Sequence, residues 1–313
     1  MATKKEPYDE LSLLEFFKRF PDEETCWMEM VRLRWPKGKS CPSCGKAMGF
    51  VKTRRVFQCN PCHRHLSVTA GTMFHQSHIP LQKWFWAIFL MATSSKGISM
   101  LNLQKHLGIK TYRAVWLMGH KIRYAMIQRE GLYKLKGKVQ VDQIKIGTQS
   151  LENRRKIRED RHTQFLMGVQ EGTTKNYPRF VTFEELASGF KEEILPALEK
   201  RIAKRSLLKS DAAGAFEQAK KKGYDVHQIS FSREPDKAKE HLNWIHWLSS
   251  NMKRGLVSTY HGCFPKYRKA YLAEFAYRFN RRYWPYQVFD RLLVACIQSK
   301  TISLKNLRNG QEA

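Results

Sequence analysis

Negative charge is scarce in this chain: 28 Asp and Glu stand against 56 Lys and Arg in 313 residues, a formal net charge of +28. Such an excess repels itself unless a polyanion is bound, so nucleic acid is the expected partner. Long apolar runs are missing too. The longest, Trp84 to Ala92, is about half of a bilayer-spanning helix, so no membrane partner is expected. No apolar stretch follows Lys4 and Lys5, so no secretory signal is visible and a cytoplasmic location is expected. Gly and Pro are few and scattered, which excludes collagen-like and disordered classes. A phosphate-binding loop is excluded as well: Gly38-Lys39-Ser40 has the right end, but Leu33 stands where the first glycine must be.

What is present begins with cysteine. There are seven, at 26, 41, 44, 59, 62, 263 and 296, and an odd count without a secretion signal argues against a disulfide framework. Cys41-Pro-Ser-Cys44 and Cys59-Asn-Pro-Cys62 share one spacing. Each such turn presents two thiolates to one ion, and together Cys41, Cys44, Cys59 and Cys62 complete a tetrahedral Zn²⁺ site. Four protein ligands leave no open position, so this zinc is expected to be structural.

The pattern divides the chain into an N-terminal helical segment (1–36), a zinc ribbon (37–70), a helical region (71–135), an α/β domain (138–300) and a tail (301–313). In the helical region, a short segment around Met100 to Leu107 meets Gly108 and then a longer helix from about Thr111. That is a helix-turn-helix pattern, in which Lys110, Thr111, Tyr112 and Arg113 would meet DNA at the start of the second helix. Three-helix cores that never touch DNA have the same pattern.

From Lys138 the order reads β-β-β-α-β-α-β-α: strands near 138–146, 165–169, 179–183, 206–210 and 227–231, helices over 184–204, 212–222 and 236–254. This is the order of a ribonuclease-H-like mixed sheet. In it, acids on the first and fourth strands lie side by side, which pairs Asp142 with Asp211. Oxygen ligands suit Mg²⁺ or Mn²⁺, and such ions serve in-line phosphoryl transfer. A third ligand is expected from the last helix. His246 and Lys253, seven apart, share a face to within about 20°; Asn243 lies near that face, and Asn251 sits about 140° from His246. His246, Asn251 and Asn243 all remain open. Basic residues around 200–209 and 220–222, with Arg278, Arg281 and Arg282, are candidate phosphate contacts.

The chain resembles the bacterial insertion-sequence transposases of the zinc-ribbon group, insertion-sequence family 1595. The resemblance rests on Phe20 to Cys26, Arg34 to Gly38, the four ribbon cysteines, Ser67 to Thr72, Pro80 to Trp84, Lys96 to Ser99, Val141-Asp142, Ser210-Asp211, His246 to Lys253, Thr259 to Gly262 and Tyr271 to Arg282. It implies a DDE-type enzyme that binds its element's terminal inverted repeats, cuts the ends and joins them to target DNA, assembled on DNA as a homo-oligomer and associated with the nucleoid. The family's first two metal ligands fall on Asp142 and Asp211. The third falls on His246, with Asn251 as rival. Lys253 falls on the basic residue that holds a DNA phosphate, and Arg254 follows it. Two positions depart from the pattern: Gln143 replaces a usual Glu, and the glycine-rich stretch is reduced to Ile146-Gly147-Thr148. A chain with the same modules that only binds DNA is the alternative reading.

Overall fold

The computed structural model describes residues 11–147, 163–173, 177–187, 191–211, 214–230 and 232–309. Thr148, Ala212, Phe231 and the last four residues of the tail lie outside them. The chain forms two compact units. One combines the described residues up to Ser94 with Met100–Ala125 and everything from Tyr283; the other combines Ser95–Ser99 with Met126–Arg282.

The first unit begins with α1 (Leu13–Arg19) and α2 (Glu23–Arg34). The sequence reads as helical throughout this stretch, but the structure interrupts it at Phe20-Pro21-Asp22. Pro21 cannot supply the N–H a continuing helix requires, and the Asp22 side chain accepts from Thr25 N at 2.7 Å to start α2. Then come β1 (Lys39–Ser40), β2 (Ala47–Val51), β3 (Val56–Gln58) and β4 (His65–Ser67), paired antiparallel in sequence order. Three helices follow: α3 (Leu81–Thr93), α4 (Met100–Leu107) and α5 (Tyr112–Glu130), the last belonging to this unit as far as Ala125. Pro80 does not enter α3; it is the residue before it. The Glu23 carboxylate accepts from both Leu81 N and Gln82 N at 2.8 Å, and so supplies the cap that Pro80 cannot. Gly119 in α5 lies against the Met100 side chain of α4, whose flexible end would have to move aside for a Cβ there.

The second unit carries β5 (Lys138–Ile146), β6 (Thr163–Glu171), β7 (Pro178–Leu186), α6 (Lys191–Arg201), β8 (Leu207–Asp211), α7 (Gly214–Lys220), β9 (Asp225–Ile229), α8 (Pro235–His241), α9 (Asn243–Tyr260) and α10 (Arg268–Arg281). The sheet order is β7-β6-β5-β8-β9. β5, β6 and β7 are antiparallel neighbours, while β5, β8 and β9 run parallel. This is the ribonuclease-H-like arrangement. Strand alternation splits β5 between two layers. Val139 and Val141 pack with Ile194, Leu198 and Phe216 of α6 and α7. Ile144 and Ile146 pack with Ile245, Leu248 and Met252 of α9 and with Leu272 of α10.

Three of the differences from the sequence reading have a visible cause. Glu184 does not start a helix: it lies in β7, where Arg201 Nε donates to its carboxylate at 2.5 Å. That ion pair makes a buried acid acceptable inside a strand. The helix read over 236–254 is two helices, parted at Leu242, and α9 continues to Tyr260. Finally, α11 (Val288–Gln298) belongs to the first unit, so the α/β unit ends at Arg282 and not at 300. The reason is its apolar stripe: Phe289 is fully buried, with ring centroids 5.5 Å from Phe16 and 5.6 Å from Phe20. A short α12 (Leu304–Arg308) follows.

Candidate functional site

In the ribbon, each CxxC turn is closed by its own backbone. Cys41 N donates to Lys46 O at 2.8 Å, and Cys59 N to Arg64 O at 2.9 Å. Both turns then need a left-handed residue, supplied by Gly45 (φ 72°) and by His63 (φ 55°). The four Sγ atoms all lie within 4.8 Å of one another, with Cys41···Cys62 at 3.5 Å and Cys44···Cys59 at 3.3 Å. Zinc with tetrahedral Zn–S bonds of about 2.3 Å has S···S edges of about 3.8 Å, so the cluster fits Zn²⁺. The Ser43 backbone N–H, 3.4 Å from the Cys41 sulfur, leads the groups that lower this thiol, while at Cys59 the Cys62 N–H is outweighed by burial and the other three sulfurs, which push that thiol up; four crowded thiols share their protons until a metal takes their place.

In the second unit, parallel pairing of β5 with β8 sets Val139 against Leu208 and Gln140 against Lys209. Continued by two residues, that register puts Asp142 beside Asp211. Burial, reinforced by the Asp211 charge, raises the Asp142 carboxyl to about 6; the Gln143 N–H and the Lys253 charge act against it. That N–H donates to Asp142 Oδ1 at 2.7 Å. The structure therefore brings Asp142, Asp211 and Lys253 within electrostatic reach. Two carboxylates of this kind offer oxygen ligands that could hold a divalent ion.

Helix α9 distributes the remaining candidates. Ile245, Leu248, Met252 and Leu256 face the sheet. His246 and Lys253 fall together on one flank of that stripe. His246 is exposed as a residue, yet burial lowers its imidazole below the ordinary value, which favours the neutral, metal-ligating form. Asn251 falls on the other flank and accepts from Arg254 Nη2 at 2.6 Å. Asn243 opens the helix and accepts from Gln140 Nε2 at 3.0 Å. Lys110, Thr111, Tyr112 and Arg113 are all exposed at the start of α5, where Thr111 O accepts from Ala114 N at 3.1 Å.

The sequence reading missed a buried polar network under this site. Gln140 lies two residues before Asp142, on the same face of β5. Its Oε1 accepts from Trp244 N at 3.0 Å and Ile245 N at 3.3 Å, capping α9. Its Nε2 also donates to Glu171 at 2.9 Å. Lys209, two residues before Asp211, donates to both Glu171 oxygens at 2.8 and 3.1 Å. The available signal was a glutamine and a lysine each two positions before an aspartate. Several basic residues read as phosphate contacts are instead committed to ion pairs: Lys209 to Glu171, Lys200 and Arg201 to Glu184, Arg278 to Glu274 and Arg281 to Glu130. Gln140→Leu takes the acceptor from Ile245 N and one donor from Glu171, while Trp244 N keeps Asn243 Oδ1 at 2.8 Å. It is expected to lower stability by about 1–3 kcal/mol, measured by denaturant unfolding.

Comparison with known proteins bears on both regions. A transposase zinc-ribbon domain profile matches residues 21–65, and an ISXO2-like transposase domain profile matches residues 134–280. A curated protein of Halobacterium salinarum, described as an uncharacterized protein in transposable element ISH50, is 33% identical over 104 residues. That match covers 31% of this chain and 35% of the relative, so the chain aligns with about a third of that protein's length. Among the described residues, no helix is long and apolar enough to cross a membrane.

Proposed function

We infer, for a chain that belongs through these two domains to the zinc-ribbon transposases of insertion-sequence family 1595, that it cuts the ends of its own element and joins them to target DNA. The observation that carries this reading is the pairing of Asp142 with Asp211, with Lys253 facing them, in a chain of net charge +28. Asp142, Asp211 and His246 would hold Mg²⁺ or Mn²⁺. When bound, such ions activate the attacking oxygen and stabilise the leaving oxygen of an in-line phosphoryl transfer. Lys253 would hold a DNA phosphate beside the cut, with Arg254 on the next position. The exposed start of α5, at Lys110 to Arg113, would meet the terminal inverted repeat, and the ribbon would hold the N-terminal region rigid on the duplex. An imidazole in place of a third carboxylate leaves the site less negative, which weakens Mg²⁺ binding and relatively favours Mn²⁺. Assembly on DNA as a homo-oligomer and action at the nucleoid of a bacterial cytoplasm belong to the same proposal.

The test is cleavage and strand joining on a labelled duplex carrying the element's ends, in Mg²⁺ and in Mn²⁺, with wild type and Asp211→Ala. Metal-dependent joining that the variant loses supports the enzyme. End binding without cleavage in either metal supports the other reading, a chain that only binds DNA, and points to Gln143 and His246 as the altered positions.

A further inference from the structure

Beside the second half of α9 runs a groove of about 880 Å³, bounded by residues of the second unit alone. Its lining includes Lys96, Lys253, Arg254 and Arg278, with Tyr271 and Phe275 between them. No acidic residue is among the lining residues. The volume falls within the range of about 300–1,000 Å³ for small-ligand pockets. Side-chain contacts tie the walls together. Glu274, fully buried, accepts from Tyr260 Oη at 2.7 Å and pairs with Arg278. The Tyr260 ring in turn packs on Tyr271, with centroids 4.7 Å apart. Gly255 is among the residues that line the groove. This glycine lies inside a helix, where alanine is preferred, and a Cβ built on it would meet nothing within 4 Å. Neither packing nor backbone conformation requires glycine there.

We propose that this groove holds an unpaired, single-stranded stretch of DNA, its bases stacked against the exposed parts of Tyr271 and Phe275 and its phosphates on Lys96, Lys253 and Arg254. Phe275 also packs on Phe183 and Phe279, which leaves part of each ring toward a groove that cations line without acids, the chemistry of a single-strand site. A duplex keeps its base faces stacked inside and cannot present them to these rings. The proposal rests on the transposition reading for its biological sense, since strand cutting and joining are what expose unpaired ends. Its physical basis does not depend on that reading.

The experiment uses the full-length, zinc-loaded protein without divalent metal at the aspartates. Fluorescence anisotropy follows a labelled oligothymidine of about 12 nucleotides, within the usual footprint of single-strand binders, and a duplex of the same length. Gly255→Leu projects a side chain into the groove and removes no charge and no ring. It is expected to weaken single-strand binding about tenfold, leave duplex binding unchanged, and leave the thermal midpoint equal or higher, since leucine is the better helix former. Lys96→Ala is expected to reduce the salt slope of single-strand binding by about 0.7. Single-strand binding unchanged in Gly255→Leu overturns the proposal. So does a change of oligomeric state in that variant with binding intact, which would make a second copy of the chain the occupant. A protein that cuts and joins DNA but passes through Gly255→Leu with single-strand binding intact sinks the groove alone. One that never cuts, yet loses single-strand binding in the variant, sinks the transposition reading and keeps the groove.

Discussion

Asp142→Asn is expected to abolish metal-dependent strand joining and, in the absence of metal, to make the protein more stable. The two effects have one cause. Asp142 is partly buried beside Asp211, and its carboxyl is raised from 3.8 to about 6. A carboxyl whose folded-state value is raised costs stability fully above that value, and the cost disappears as pH falls through about 6 towards 3.8. At about 1.4 kcal/mol per pH unit, removing the charge returns up to about 3 kcal/mol at neutral pH, with the Gln143 N–H bond to the lost charge as an offset. Denaturant unfolding at pH 7 should show the variant more stable than wild type, with the gap closing by about pH 4. Adding Mn²⁺ should reverse the order, because only wild type gains stability by binding it. Activity should fall by more than the about 10- to 100-fold typical of a residue that merely orients a ligand. A variant less stable than wild type at pH 7, or one that still joins strands, would remove Asp142 from the proposed centre.

Zinc removal is the second large effect. The ribbon's strands are two to five residues long, and its buried apolar side chains amount to Met48, Phe57 and Val68 with the two inner cysteines. So small a core cannot hold the segment by itself, and in comparable small domains the metal supplies about 10–16 kcal/mol of apparent folding free energy. A strong chelator, or Cys59→Ser, is therefore expected to unfold residues 37–70 and abolish binding to the element's ends. The five-stranded sheet has its own layers of apolar side chains on both faces and should keep its amide protection. Hydrogen exchange resolved along the chain checks both halves: protection lost in β1–β4 and retained in β5–β9. Protection lost throughout would mean that zinc organises more than the ribbon.

The sequence by itself determined whatever depends on neighbours along the chain. Two residues between paired cysteines, followed by glycine or histidine able to turn left-handed, suffice to aim four sulfurs at one point. An aspartate alternating with valines, and a second at the end of a later strand, suffice to pair across a parallel sheet once the order of elements is read. The break at Pro21 and the cap at Asp22 were equally local, although the apolar pattern around them concealed both. Only the tertiary structure decided what depends on partners distant in sequence. Glu184 is tolerated in a strand because Arg201 arrives from α6. Phe289 belongs to the first unit because Phe16 and Phe20 pack on its fully buried ring. Gln140 has no visible task in its own strand until α9 presents N–H groups a hundred residues away. The helical wheel already sets His246 on the side of Lys253 and Asn251 away from it; the packing of Ile245, Leu248 and Met252 adds which face of α9 meets the sheet. A hydrophobic pattern says that a helix has a buried stripe; which charged neighbours flank that stripe is settled by the surface it packs on.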